Sequence, residues 1–169
     1  MDHVRIGLVG LGNMGKAHRA SLRASKVQGL KLAAICDRPE ALPEPEQGEA
    51  QFTDFAEMVN SGLIDAVLIA TPHFFHTTMG ITALEAGLHV MVEKPMALSL
   101  DECTRMIRAC ERANVVLMVG HSHSFNAPIL KTYELIQSGQ YGAVRMIHAF
   151  NYTDFLYRPR RPEELNTQA

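Results

Sequence analysis

The sequence predicts a doubly wound, parallel α/β sheet, and three observations carry that prediction. Short β-rich runs recur along the chain at Val4–Val9, Leu30–Cys36, Ala66–Ala70, His89–Val92 and Val115–Val119. Helical patterns separate most of them, the arrangement expected of parallel strands joined by crossover helices. The run Ala66-Val67-Leu68-Ile69-Ala70 is continuously apolar rather than alternating, as in a sheet covered on both faces.

The first strand, Val4–Val9, leads directly into Gly10-Leu11-Gly12-Asn13-Met14-Gly15. The glycines fall in G-x-G-x-x-G spacing, and each has its own physical reason. Gly10 permits a tight turn, Gly12 lets a pyrophosphate approach the backbone, and Gly15 lets the following helix pack closely. Met14, Ala17, Ser21 and Ala24 recur at helical spacing, so a first helix is expected to run to about Ser25. The second strand, Leu30–Cys36, ends in Asp37-Arg38-Pro39. Pro39, Pro43, Pro45 and Gly48 then leave room only for an abbreviated crossover before a short strand near Ala50–Phe52.

Asp54 can cap a short helix, Phe55–Asn60. After the strand ended by Thr71-Pro72, a helix is expected from about His76 to Ala86, with Gly87 placed as its C-terminal cap. Strand His89–Val92 ends in Glu93-Lys94-Pro95, and Ser99 with Glu102 forms a capping box for helix Leu100–Ala113. Strand Val115–Val119 runs into Gly120-His121-Ser122-His123. Asn126 and Pro128 then start a helix that Gly139 ends, and Val144–Tyr152 reads as one long strand with no partner after it. The expected division is a dinucleotide-binding domain over 1–122, followed by a linking helix, first strand and loop of a second α/β domain over 123–169.

Bulk properties exclude some function classes. A net charge of −2 without a dominant basic stripe gives no reason to expect nucleic acid. No apolar run approaches a membrane span, and the start lacks the layout of a signal peptide, so the expected location is cytoplasmic. The three cysteines have neither disulfide-framework nor zinc-motif spacing.

Right-handed crossovers put every strand's C-terminal end on one edge, and that edge is where open α/β sheets bind ligands. It collects the glycine stretch, Asp37, Thr71-Pro72, Glu93-Lys94 and His121/His123. Asp37 lies 22 residues after Gly15. A carboxylate there can accept both hydroxyls of an adenosine ribose, which favours NAD, while Arg38 keeps NADP open. Lys94, between a buried strand and a proline, can position a substrate hydroxyl or help move its proton. Glu93 is placed to pair with ribose hydroxyls or with Lys94.

His73, His76, His121 and His123 share the edge, but no Asp, Glu or Cys accompanies them at ligand spacing, so no metal is expected. His123 is better suited to a substrate or nicotinamide contact. Arg158, Arg160 and Arg161 read either as a solvated loop or as a clamp for a carboxylate.

These residues resemble the glucose–fructose oxidoreductase / inositol dehydrogenase / rhizopine-catabolism (Gfo/Idh/MocA) family of nicotinamide-dependent oxidoreductases. The resemblance is carried by Gly10-Leu11-Gly12-Asn13-Met14-Gly15, Thr71-Pro72 with His76, Ala86-Gly87-Leu88-His89-Val90-Met91-Val92-Glu93-Lys94-Pro95, Val119-Gly120-His121 and Ile136-Gln137-Ser138-Gly139. It implies an NAD(P)-binding Rossmann domain followed by a second domain that binds substrate and commonly forms a homo-oligomer interface. It also implies that Lys94 assists catalysis and that Thr71, Pro72, His76 and Glu93 belong to the cofactor site.

The family's arginines shortly after the Gly-His pair are replaced here by His123 and Ser124, implying an altered substrate pocket. Its usual acid/base histidine falls in a later segment, so the chain is expected to be the severed cofactor part of a longer enzyme and inactive alone. A narrower likeness is to the phthalate 4,5-cis-dihydrodiol (4,5-dihydroxyphthalate) dehydrogenase branch. It rests on Gly120–Phe125 and Thr153–Pro162, and it would give Arg158 and Arg160 a carboxylated substrate. The implied reaction is hydride transfer between a nicotinamide and a ring carbinol carbon of a sugar, cyclic polyol or cis-dihydrodiol. The rival readings are a non-catalytic dinucleotide-binding or redox-sensing module and, sharing the glycine loop and Asp37, a methyltransferase.

Overall fold

The structure is a computed structural model that describes residues 3–24, 28–44, 48–150 and 152. Its elements in chain order are β1 (Val4–Val9), α1 (Asn13–Arg23), β2 (Leu30–Cys36), β3 (Ala50–Phe52), α2 (Phe55–Asn60), β4 (Ala66–Ile69), α3 (His76–Glu85), β5 (His89–Val92), α4 (Leu100–Ala113), β6 (Leu117–Val119) and α5 (Ala127–Gln137). One-turn 3-10 segments stand at Pro39–Ala41, His73–Phe75 and Ser122–Phe125.

The six strands form one sheet in the order β3-β2-β1-β4-β5-β6, and every pair is parallel. The strand order reverses between β1 and β4, and that is the point at which an open α/β sheet leaves a crevice outside its strand ends. Because successive strand residues point to opposite faces, two apolar layers result. Val9, Val67, Ile69, Val90 and Val92 pack with Met58, Leu84 and Met106 of α2, α3 and α4. Ile6, Leu8, Leu32, Ile35 and Leu68 form the other layer, with Leu22 of α1 against it. Leu8, Ile35 and Ile69 are fully buried, each contributing about 1.5–3 kcal/mol by leaving water.

The helix ends follow their local chemistry. Asp54 accepts from the Glu57 amide at 2.9 Å and Ser99 from the Glu102 amide at 3.2 Å, while Glu102 reaches back to the Leu98 amide at 2.9 Å. Among the described residues after Asp37, the prolines leave a single 3-10 turn where a crossover helix would stand.

Three expectations are corrected. α1 ends at Arg23 rather than Ser25, with Ala24 as its cap. β6 begins at Leu117 rather than Val115, because the left-handed Asn114 (φ 53°) closes α4 and the Val115 amide donates to the Cys110 carbonyl. The long strand expected at Val144–Tyr152 does not form over 143–150. A strand satisfies its backbone only through a partner, and the described residues give that segment no ladder.

The chain divides into two compact units, 1–122 and 123–169. The second unit contains α5, whose Ile129, Leu130 and Tyr133 are exposed.

The sheet's N-terminal edge is fixed by one ion pair. Asp65 takes hydrogen bonds from the Arg5 amide (2.8 Å), Nε (3.0 Å) and Nη2 (2.7 Å), and Arg5 Nη1 donates to the Gly62 carbonyl. The Asp65 backbone accepts from His89 at 3.1 Å, so the loop before β4 ties β1 to β5. The Arg5 side-chain and backbone bonds hold the Asp65 carboxyl at about 2, against 3.8 ordinarily. A carboxyl whose pKa is depressed by folding stabilises the fold above its unfolded value, and that contribution is lost as pH falls through the folded value. Asp65→Asn should therefore lower thermal stability at neutral pH, and the gap to the parent should close between pH 3.8 and about 2. Thermal melts across that range check it; a constant gap would show that the charge of Asp65 contributes nothing.

Candidate functional site

The site begins where β1 turns into α1. Gly10 has φ +89°, and a Cβ there would lie 2.8 Å from the Ala70 carbonyl and the Thr71 amide, at the end of β4. A Cβ on Gly15 would overlap the Gly10 carbonyl oxygen. Both positions are closed to any side chain, and together they let α1 start directly on the turn. Gly12 is different: a Cβ there would meet nothing within 4 Å. It is the N-cap of α1 and offers no capping side chain, so the helix's first amides face open space, with the positive end of the helix dipole behind them. An anion with several oxygens fits that arrangement.

Asp37 stands at the end of β2, next to this turn. Its Oδ2 accepts from the Leu11 amide at 2.5 Å and its Oδ1 from the Arg38 amide at 2.7 Å. Each oxygen keeps a further lone pair, so the carboxylate can hold the loop and still accept from hydroxyls. Arg38 turns toward Glu40, at 3.2 Å, and remains exposed. A cleft of about 560 Å³ joins these parts, walled by Gly10, Gly12, Asp37, Arg38, Thr71 and Pro72, with Phe55, Phe75 and Met79 supplying apolar surface. Cys36 also borders it. Burial pushes its thiol up to about 11, with Asp37 and Asp54 adding to the shift, so it stays a protonated thiol at neutral pH.

Thr71, Pro72, Asp37 and the glycine turn thus share one cleft. Lys94, Glu93 and His121 are not among its walls; they occupy the next strand ends, of β5 and β6. Lys94 is half-exposed, with Nζ 3.5 Å from Glu93 Oε2.

Two further residues expected at the cofactor site, Glu93 and His76, are buried. Glu93 Oε1 is 2.7 Å from His18 Nε2 and its Oε2 accepts from the Lys94 amide at 3.2 Å. Burial raises its pKa, but the hydrogen bonds from His18 and Lys94 and their charges outweigh it, and the net direction is down. His76 is fully buried, with Nδ1 2.8 Å from the Pro95 carbonyl and Nε2 3.0 Å from the Thr71 carbonyl. Both nitrogens face backbone carbonyls, and whichever carries the proton donates to its carbonyl, so His76 links the Thr71-Pro72 turn with the Lys94-Pro95 turn.

His73 meets the His76 ring edge-on at 5.6 Å. Among the described residues, no three His, Cys, Asp or Glu side chains gather as a metal site. His121 is exposed at the end of β6. His123 belongs to the second unit, where its Nδ1 lies 3.3 Å from Asn126 Nδ2. Arg158, Arg160 and Arg161 lie outside the described residues.

His18 was not expected. Its signal was available in the sequence, since it lies three residues after Gly15 and so shares the helix face that packs inward.

The sequence model of an oxidoreductase family with an NAD-binding Rossmann fold, Gfo/Idh/MocA, matches residues 4–121. The chain belongs to this family. It is 46% identical over 170 residues to the 1-carboxy-3-chloro-3,4-dihydroxycyclo hexa-1,5-diene dehydrogenase of Comamonas testosteroni, an alignment covering 97% of this chain and 42% of that protein. A crystal structure from Bordetella bronchiseptica RB50 is 44% identical with a TM-score of 0.86, covering 98% of this chain and 44% of that one. The scyllo-inositol dehydrogenase of Lactobacillus casei, solved with NAD(H) and scyllo-inositol, is 33% identical with a TM-score of 0.75, covering 83% and 42%. The chain spans less than half the length of these relatives.

The residues present fit the family's cofactor: an open helix N-terminus for the pyrophosphate, a carboxylate at the end of β2 for the ribose, and an apolar-walled cleft between them. Gly12→Ala should fold normally, since its Cβ meets no protein atom, yet weaken NADH by about tenfold or more by filling the pyrophosphate's space. Gly15→Ala should instead lower the melting temperature, because its Cβ overlaps the Gly10 carbonyl. Melting curves and NADH titrations of both variants check this; undiminished NADH binding by Gly12→Ala would place the pyrophosphate elsewhere.

Proposed function

We propose that this chain binds NAD in preference to NADP, as the cofactor-binding part of a dehydrogenase acting on a ring carbinol carbon of a small, carboxylated cyclic diol. The observation that carries the cofactor reading is the convergence of the uncapped α1 N-terminus, Asp37 and Thr71-Pro72 on one cleft at the switch point between β1 and β4. Gly10, Leu11, Gly12, Asn13, Met14 and Gly15 would hold the pyrophosphate. Asp37 would accept the ribose hydroxyls, and its negative charge would repel a 2′-phosphate. The Arg38 guanidinium, drawn toward Glu40, is not committed to that phosphate.

The bound nicotinamide supplies the hydride acceptor. Lys94 would donate a hydrogen bond to the carbinol oxygen and fix the carbon's approach, as expected for a half-exposed ammonium at the neighbouring strand end. The substrate class is supported by the Comamonas relative, whose name describes a carboxylated dihydroxycyclohexadiene. His121, His123, Arg158 and Arg160 are the candidates for substrate contact, the arginines because guanidinium grips a carboxylate in bidentate fashion. Residues 1–122 would be the dinucleotide-binding domain and 123–169 the start of a second domain that carries substrate contacts and a homo-oligomer interface.

Calorimetric titration of the chain with NADH, NADPH and S-adenosylmethionine separates the cofactor classes. NADH should bind tightest, and NADPH weaker by about tenfold or more. Binding of neither nicotinamide would overturn the cofactor reading, and equal affinities would overturn the preference. In the intact enzyme, Lys94→Met should cost about a hundredfold or more in turnover of a carboxylated cyclic diol with NADH affinity little changed. Steady-state kinetics with that diol and its uncharged analogue check both points: near-parent turnover removes Lys94 from the reaction, and equal preference removes the carboxylate.

A further inference from the structure

The partly buried imidazole of His18 has no place in the proposed cofactor or substrate contacts. It stands on α1, the helix whose N-terminus faces the cleft, yet its partner is on a different strand: Nε2 lies 2.7 Å from Glu93 Oε1. The carboxylate is boxed in from three sides. His18 approaches from α1. Lys94 approaches from the same turn, through its amide at 3.2 Å and its Nζ at 3.5 Å from Oε2. From β6 comes Gly120, which has no charge and whose Cβ, if present, would touch the Glu93 carboxyl carbon at 3.5 Å. The side chains of His18 and Glu93 are 23% and 10% exposed while that of Lys94 is 51% exposed, so the carboxylate is the most enclosed of the three and the ammonium the most open.

We propose that His18 is a positioning residue for Lys94, acting through Glu93. By holding Oε1, it fixes the carboxylate so that Oε2 faces the ammonium. The helix that would receive the pyrophosphate and the lysine that would meet the substrate oxygen are thereby tied through two side-chain contacts. An ionised carboxylate in so buried a place requires partners on both oxygens, and the downward shift of Glu93 agrees with His18 supplying one of them. The alternative role for His18, as plain packing on α1, would not reach Lys94. The proposal rests on the cofactor-site reading for its purpose, and its test does not depend on cofactor binding.

The test uses the whole chain, with His18→Leu, His18→Gln and Glu93→Gln. Two quantities are read: the titration of the Glu93 carboxyl by carbon-13 NMR, and the rate of reductive methylation of Lys94 at fixed pH by peptide mass spectrometry. His18→Leu should raise the Glu93 midpoint by about one pH unit and speed Lys94 methylation several-fold. His18→Gln, whose amide can donate to Oε1, should return both toward the parent. Unchanged Glu93 titration and Lys94 rate in His18→Leu would overturn the proposal, as would a His18→Gln variant that behaves like His18→Leu. If His18→Leu does not fold, Glu93→Gln decides: Lys94 must methylate faster, and a parental rate overturns the proposal. NADH titration of the parent runs alongside. Failure of NADH to bind would count against the cofactor reading alone, because the Lys94 rates judge His18 separately.

Discussion

The structure depends on a contact that no side chain could survive: the approach of α1 to the turn that precedes it, with Gly15 against the Gly10 carbonyl. Helix and strand are joined by so few residues that the helix can begin only if both positions lack a Cβ. The same shortness aims the helix's first amides outward, across the end of β4. The steric constraint thus puts the N-terminus of α1 at the switch point between β1 and β4, where the strand order leaves a crevice. Gly12, between the two, is free of that constraint, and its missing side chain leaves open space.

Once the turn is placed, carboxylates secure it and the helix behind it to β2 on one side and, beyond the neighbouring β4, to β5 on the other. Asp37 holds the Leu11 amide from β2, and Glu93 holds His18 from β5. The two differ in what they leave over. Asp37 stands at the cleft wall with lone pairs to spare. Glu93 is buried, and both its oxygens are engaged within the protein. A carboxylate at two strand ends is thus left open to the cleft in one case and committed to other groups of the protein in the other, with burial deciding which.

Much of the fold was legible in the sequence because its signals are local. Continuous apolar runs marked β4 and β5, the Ser99–Glu102 capping box marked the start of α4, and prolines marked the missing crossover helix. The errors lie where a non-local partner decides. Val144–Tyr152 has strand composition but no ladder among the described residues, and Val115 loses its place in β6 because its amide donates to the Cys110 carbonyl at the end of α4. At the site, glycine spacing and strand-end position were enough to bring Asp37, Thr71 and Pro72 together with the turn. They were not enough to orient side chains. Glu93 pairs with Lys94, one of the two pairings that its position offers, and also with His18, while His76 lies between two backbone carbonyls; the His18 and carbonyl contacts are ones that sequence spacing does not reveal. His18 was missed for the same reason, its partner being 75 residues away.

The buried His76 stands between the turns that follow β4 and β5, each of which contains a proline. His76 lies between the Thr71 and Pro95 carbonyls, with one ring nitrogen 3.0 Å from the first and the other 2.8 Å from the second, so its ring spans the distance between the cleft wall and the turn that carries Lys94. Among the described residues no buried side-chain nitrogen or oxygen lacks a partner, so the site's internal polar groups are satisfied by protein. What remains for a ligand is the uncapped helix end, the outward lone pairs of Asp37 and the ammonium of Lys94, which are the groups a dinucleotide and a carbinol oxygen can use.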